Sequence, residues 1–305
     1  MSYRSGLVSV VGRPNTGKST LVNALTGEKV TITSSRPQTT RHVIRGVVHR
    51  AGGQLVLVDT PGLHKPRTLL GQRLNDEVRH ALTDVDVIAV TLPADEEIGP
   101  GDRRVTAEAA RVQRAPKVAV VTKADLVRPE QMLAHLAAVA ELAEQNGFTW
   151  DEVVPVSALT GDQVDLLIDL LIGLLPEGEA FFPEGQVTDE PEDIRVAELI
   201  REAALEGVRD ELPHSIAVVV DEMVPREGRP ADRPLTDVRA TVYVERSSQK
   251  AIIIGHKGSR LRDVGKTARR DIEQLLGVPI FLDLHVKVAK DWQRDPKQLR
   301  RLGFD

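Results

Sequence analysis

From residue 5 to residue 175 short apolar runs of strand length alternate with amphipathic stretches of helical period. The runs at 7–12 (LVSVVG), 54–60 (QLVLVDT), 85–92 (VDVIAVTL), 117–123 (KVAVVTK) and 152–158 (EVVPVSA) are rich in Val. Between them, 19–27, 106–114 and 129–147 carry helical sequence, and DQVDLLIDLLIGLL ends a last helix before Pro176. Strands that are apolar almost throughout, rather than at every second position, belong inside a parallel sheet covered on both faces. The pattern therefore predicts an α/β class, a mostly parallel doubly wound sheet over residues 1–175.

The pattern then breaks. Residues 176–193 hold three Pro, two Gly and seven acidic residues with neither helical nor strand period, which predicts a linker over 176–192. Beyond it the spacing predicts a helix at about 193–211, strands at 214–223 and 238–246, a pair of helices around Gly255–Gly258 and a strand at 279–290. The order helix, strand, strand, helix, helix, strand describes a smaller α+β domain over 193–290, followed by a helical tail at 291–305. No internal repeat is visible, which argues against two copies of one domain.

Composition agrees with two ordinary globular domains in 305 residues, 41% hydrophobic and 28% charged. No run approaches the roughly 20 uncharged apolar residues of a membrane span. With no Cys, disulfide scaffolds, thiolate metal sites and Cys catalysis are excluded. The start, MSYRSGLVSVVG, lacks the apolar core of a signal peptide, so the cytoplasm is the expected compartment. Charge changes the picture more. Residues 246–305 hold 14 Lys/Arg against 7 Asp/Glu, so this end carries +7 and the rest −12 within a total of −5. A basic end on an acidic chain points to a local anionic partner.

The first strand runs into Gly12-Arg13-Pro14-Asn15-Thr16-Gly17-Lys18-Ser19, then Thr20 opens helical sequence. This is a complete phosphate loop: backbone N–H groups turn toward phosphate oxygens, Lys18 neutralises the outer phosphates and the Ser19 hydroxyl can hold Mg²⁺. Asp59-Thr60-Pro61-Gly62 closes the strand at 54–60, placing Asp59 beside the metal and the Gly62 N–H toward the terminal phosphate. Thr122-Lys123-Ala124-Asp125 and Ser157-Ala158-Leu159 each follow a later strand. Asp125 can accept hydrogen bonds from a guanine ring's N1–H and amine, a donor pair adenine lacks, so the nucleotide is expected to be GTP or GDP. Each of these short motifs alone is equally a turn or a cap; their order and their strand ends carry the assignment.

These residues resemble the translation-factor-type GTPases of the Era family, over the whole first domain. The resemblance implies that Thr40, in the stretch Ser35-Arg36-Pro37-Gln38-Thr39-Thr40-Arg41, reaches Mg²⁺ in the GTP state, with Thr39 its easily confused neighbour. It implies a catalytic role for Lys18, Thr40 and Gly62, and for Asn15 as part of a K⁺ site whose charge does the work of an arginine finger. Asn15 as a plain loop hydrogen-bonder is the alternative. Thr122 departs from the family's usual Asn, and a shorter reach there is expected to weaken nucleotide binding. Leu63 stands where many signalling GTPases keep a water-orienting Gln. Arg13 and Arg41 are near enough in sequence to be considered as internal fingers.

In the second domain Gly255-His256-Lys257-Gly258 forms a G-x-x-G turn after the apolar Ile252-Ile253-Ile254. Such a turn lets the backbone meet a single strand's phosphates while an aliphatic groove takes the bases. A helix-turn-helix corner would read the same, but residues 246–270 carry eight basic residues against one Asp, and the element order resembles a type II KH domain. Expected RNA contacts are Lys250, Ile254, Gly255, His256, Lys257, Gly258, Arg260, Lys266, Arg269 and Arg270, with Arg262 pairing acids on its own helix. Aromatic residues at 3% argue against a stacking platform of OB or RRM type. A GTPase domain followed by a KH domain is similar to the Era family of ribosome-assembly GTPases along nearly the full chain. That resemblance implies a monomer that binds the 3′ end of 16S ribosomal RNA, serves 30S subunit assembly and associates peripherally with the inner membrane; no lipidation motif or strongly basic amphipathic helix accompanies the last of these. The rival from another class is an RNA-binding factor that holds GTP as a structural ligand with negligible turnover. A signalling GTPase with a protein-binding last domain is disfavoured by the basic turn.

Overall fold

The computed structural model describes residues 2–33, 40–41, 43–63, 66, 68–208, 215–230 and 232–304. It divides into two compact units, one of Met1–Arg67 and Gly71–Asp189, the other of Glu190–Asp305 with the short piece Thr68–Leu70.

In the first unit the elements run β1 (Arg4–Val11), α1 (Lys18–Thr26), β2 (Ile44–Arg50), β3 (Gly53–Asp59), α2 (Leu69–Thr83), β4 (Val87–Pro93), α3 (Pro100–Ala110), β5 (Lys117–Thr122), α4 (Pro129–Gln145), β6 (Glu152–Pro155) and α5 (Val164–Leu174). The sheet order is β2-β3-β1-β4-β5-β6, parallel except for β2 against β3. β3, β4 and β5 are buried at every position, which is why they read as unbroken apolar runs. One face packs Val8, Val10, Leu55 and Val120 against Leu21 and Val22 of α1 and Leu167 and Leu171 of α5. The other packs Ile88, Val90 and Val121 against Val78 of α2, Val105 of α3 and Leu142 of α4. The sheet is thus doubly wound as expected.

Three features differ from the sequence expectation. β2 is an added edge strand, hidden because IRGVVHR mixes a Gly and three basic or imidazole side chains into its apolar positions. α3 begins at Pro100 rather than 106, because Asp102 accepts the Gly99 N–H at 2.9 Å and caps the earlier start. The stretch expected as a linker at 176–192 is mostly a strap on the first unit. Gly178 N–H donates to Tyr3 O, the buried Gln54 Oε1 accepts from Phe181 N at 2.7 Å and Phe182 N at 3.0 Å, and Val47 N–H donates to Val187 O. Backbone groups satisfied one at a time leave no periodic signature.

The second unit runs α6 (Glu192–Leu205), β7 (Ala217–Pro225), β8 (Thr236–Val244), α7 (Ser247–Ile254), α8 (Ser259–Leu276), β9 (Ile280–Val288) and α9 (Pro296–Arg301). Central β8 pairs antiparallel with β7 and parallel with β9. Val238, Ala240 and Val242 face a core with Val196, Ile200, Val264, Ala268 and Ile272 of the long helices. The expected element order holds; the first helix is described to its end at Leu205, while 209–214, including the start of the expected strand at 214, lies outside the described residues. Residues 291–304 belong to the unit's core rather than forming a separate tail: Trp292 is fully buried, stacks on Phe304 at 5.6 Å and donates its Nε1–H to Ser215 O at 3.0 Å. Among the described residues no helix is long and apolar enough to cross a membrane.

Removing that indole should therefore unfold the second unit rather than release a loose end. Trp292→Ala is expected to cost about 3–5 kcal/mol, read as a lowered midpoint in denaturant titration; an unchanged midpoint would return residues 291–304 to the status of a tail.

Candidate nucleotide site and nucleic-acid interface

The carboxyl ends of β1, β3 and β5 bring the sequence motifs of the first unit together, as open parallel sheets do at a reversal of strand order. β1 passes into a loop in which Asn15 and Gly17 take left-handed conformations at φ 64° and 88°. α1 then starts with no side-chain cap, so its first N–H groups and dipole face the loop's concavity, an anion site by construction. Lys18 is buried and its Nζ donates to Arg13 O at 3.0 Å and Gly12 O at 3.3 Å. Burial pulls its pKa from 10.5 to about 8, against the attraction of Asp59 and with added repulsion from Arg13. Gly62 lies so close to the loop that a Cβ there would stand 2.8 Å from Pro14 N, so only glycine lets the turn after β3 approach.

Asp59 is wholly buried at the end of β3. Its Oδ2 accepts from Ser19 Oγ at 3.0 Å, Thr31 Oγ1 at 3.1 Å and Thr40 Oγ1 at 3.5 Å, and Ser19 and Thr40 hydroxyls are 2.9 Å apart. Desolvation raises its pKa, with Lys18 and the three hydroxyls opposing. Its Oδ1 is buried without a hydrogen-bond partner. An orphaned carboxylate oxygen among two hydroxyls is the hard, all-oxygen donor set that suits Mg²⁺ completed by phosphate and water. Thr31 was missed in the sequence. Asn23 of α1 holds it there, accepting from Val30 N and Thr31 N and donating to Thr31 O. Ser35 to Thr39 lie outside the described residues.

At the base end, Thr122 Oγ1 is buried and donates to Thr16 O at 2.6 Å, while Ala124 N–H donates to Val156 O, joining the Thr122–Asp125 loop to the segment leading into Ser157. Thr122 thus ties this loop to the phosphate loop despite its shorter side chain. Ser157 Oγ accepts from Thr160 N at 3.2 Å, which shapes the turn that carries Ala158 and an exposed Leu159. Asp125 is exposed in a 3₁₀ turn. Pro61 and Thr60 are buried, with Thr60 Oγ1 donating to Val10 O, and Thr20 lies in the first turn of α1. Leu63 is 3% exposed within the apolar cluster of α2, α3 and α4, so it anchors this segment in the core. Arg41 is buried too, and Arg13 is engaged by Asp102.

In the second unit α7 ends at Gly255, where φ is 72° and a Cβ would meet Arg260 Cβ at 2.7 Å. His256 and Lys257 stand exposed on the turn, Lys257 itself at φ 50°, and Gly258 starts α8 with no side-chain cap. Ile252 is exposed beside it, Ile253 is core, and Ile254 and Lys250 are half-buried. Arg260, another of the expected contacts, turns inward, its Nη2 donating to Ala204 O and Glu206 O, and so satisfies the carbonyl end of α6. Helical spacing instead aligns Arg262 with Lys266, Arg269 and Arg270 on one exposed face. Arg269 pairs with Glu273 and Arg270 with Asp271, whereas no ion pair involves Arg262 among the described residues. A helical wheel of 259–276 would have separated Arg260 from Arg262.

Comparison with known proteins fits both sites. The family model of 50S ribosome-binding GTPases matches residues 7–123, and the KH domain model matches 211–293. GTPase Era of Streptomyces coelicolor is 67% identical, covering 99% of this chain and 95% of that protein; its counterpart from a Nocardioides species is 64% identical, covering 99% and 97%. The chain belongs to the Era family of GTPases. Among solved structures, Era in complex with MgGDPNP and nucleotides 1506–1542 of 16S ribosomal RNA is 36% identical with a TM-score of 0.93, covering 99% of each chain. An Aquifex aeolicus Era variant bound to GDP and AlF4⁻ is 36% identical with a TM-score of 0.92.

For a GTPase of this family the lowered Lys18 pKa has two opposite consequences. Between pH 8 and 10.5 the unfolded chain keeps a proton on Lys18 that the ligand-free folded chain has shed, so this group's contribution to stability rises with pH. Polyphosphate favours the ammonium form, so GDP affinity should be level from about pH 6.5 to 7.5 and fall toward about tenfold per unit above pH 8. Calorimetric titration of GDP across that range checks it, and an affinity level to pH 9.5 would remove Lys18 as the phosphate partner.

Proposed function

We propose that this chain binds and hydrolyses GTP in its first unit, binds the single-stranded 3′ end of 16S ribosomal RNA through its second, and serves 30S subunit assembly as a cytoplasmic monomer. The observation that carries this reading is the joint presence, on one chain that matches an RNA- and nucleotide-bound Era along 99% of its length, of the Asp59 hydroxyl cluster and the Gly255–Gly258 turn. The backbone of Gly12–Ser19, with Thr20, cradles the phosphates, Asp125 reads the guanine and Ser157–Leu159 closes over the ring. When bound, Mg²⁺ on Ser19, Thr40 and Asp59 supplies neutralising charge at the outer phosphates. Lys18 and the Gly62 backbone hold the terminal phosphate. Leu63 does not orient water, and Arg13 is engaged elsewhere, so K⁺ beside Asn15 is the charge we assign to the developing transition state. Lys250, Ile254, the turn residues 255–258, Arg262, Lys266, Arg269 and Arg270 make the RNA face.

Phosphate release measured in K⁺ or Na⁺, with and without an RNA of the 16S 3′ end, tests the reading. Turnover should rise with K⁺ and again with RNA; negligible turnover under all four conditions would favour GTP as a structural ligand. Asp125→Asn should weaken GTP by about ten- to a hundredfold through loss of charge-assisted bonds, while improving xanthosine triphosphate. The double change His256→Asp with Lys257→Asp should weaken RNA by at least about tenfold and flatten the salt dependence of binding, with circular dichroism unchanged. Undiminished RNA affinity would take the interface away from this turn.

A further inference from the structure

The segment between β4 and α3 touches both nucleotide loops. Arg13 of the phosphate loop places its Nε 3.0 and 3.1 Å from the two oxygens of Asp102, and its Nη2 2.8 Å from Glu96 Oε2. The other Glu96 oxygen is 3.7 Å from Lys123 Nζ of the guanine loop, which is also 3.0 Å from Asp95 Oδ2. Asp102 is 1% exposed, and its Oδ2 also accepts the Gly99 N–H that starts α3. A continuous run of charged contacts therefore joins Asp102, Arg13, Glu96, Lys123 and Asp95.

We propose that residues 95–102 form a bracket that sets the spacing between the phosphate loop and the guanine loop, with Arg13 a positioning residue rather than an arginine finger. The inference rests on the guanine-nucleotide reading of these loops. A guanidinium held by both oxygens of a buried carboxylate is fixed in direction, and releasing it to reach a transition state would leave that carboxylate buried and unpaired. The same fixity serves binding: base and phosphates lie at a set distance in one ligand, so two loops held at that distance lose less freedom when the ligand arrives. Glu96, at 47% side-chain exposure, adds little to stability as a surface pair, so its place between Arg13 and Lys123 should show in nucleotide retention and not in melting.

The test follows release of a fluorescent GDP analogue from the full chain by stopped flow. Glu96→Gln should release the analogue about two- to fivefold faster, with KM for GTP raised by a similar factor, kcat held and the melting temperature unchanged. Arg13→Gln should release it about tenfold faster or more by stranding Asp102, and adding Asp102→Asn should recover part of that loss. Wild-type release from Glu96→Gln, or strictly additive effects of Arg13→Gln and Asp102→Asn, would overturn the bracket. So would an Arg13→Gln variant that keeps normal release but loses turnover at saturating GTP, which would make Arg13 a finger. A wild-type chain that fails to bind the analogue at all would instead sink the nucleotide reading, and the bracket with it.

Discussion

A carboxylate with no access to water is the constraint around which the first unit is arranged. Asp59 ends β3 in register with Val10 of β1 and Ile44 of β2, and the strands on either side exclude solvent from it. Burying a charge is costly unless it is matched, and here the match comes from chain segments far apart in sequence: Lys18 and Ser19 from the phosphate loop, Thr31 held by Asn23, and Thr40. One oxygen is left over. Three hydroxyls meet Oδ2 and none meets Oδ1, so the oxygen without a partner is the one suited to a hard cation.

Because the same residues satisfy Asp59 and surround the phosphate position, the site is held together by the groups that a nucleotide would recruit. Lys18 illustrates the tension. Its burial is tolerable through Asp59 and two loop carbonyls, yet its proton is loosened, and a phosphate would restore it. The loops are kept in place by contacts that do not involve the nucleotide at all, chiefly Thr16 Oγ1 with Thr91 Oγ1 at 2.6 Å and Thr122 with the Thr16 carbonyl. Division of labour between residues that touch the ligand and residues that hold those residues is what preorganisation requires.

How much of this was legible depends on whether a residue acts through its chemical type or through its neighbours. Gly12–Ser19, Asp59–Gly62, Thr122–Asp125 and the Gly255–Gly258 turn could be read because phosphates, metal and backbone approach demand particular residue types at short fixed spacing. The sheet core could be read because β3, β4 and β5, buried throughout, are apolar along most of their length, with the polar exceptions mainly near their ends. Thr31, Asp102 and Gln54 could not, since nothing local distinguishes a hydroxyl that meets Asp59, a carboxylate that meets Arg13, or an amide that receives the strap at 177–189. The different placements of Arg260 and Arg262 were hidden for another reason. Both are basic and two residues apart, and only the helical period places one against the end of α6 and the other on the open face.

On the RNA-binding reading proposed above, the second unit works by the opposite physics. Instead of a buried carboxylate, it offers an exposed basic face, a helix α8 that starts without a side-chain cap and backbone strain at Lys257. A left-handed conformation at a lysine is disfavoured, and it persists here between two glycines that themselves take positive φ, so the turn is fixed by Gly255 against Arg260 rather than by the lysine's own preference. Arg260 is then spent on structure twice over: it packs under Gly255 and it satisfies the end of α6. Its inward turn sets it apart from Lys257, Arg262 and Lys266, which have no comparable structural duty among the described residues, so on the RNA-binding reading proposed above their charge is open to phosphates.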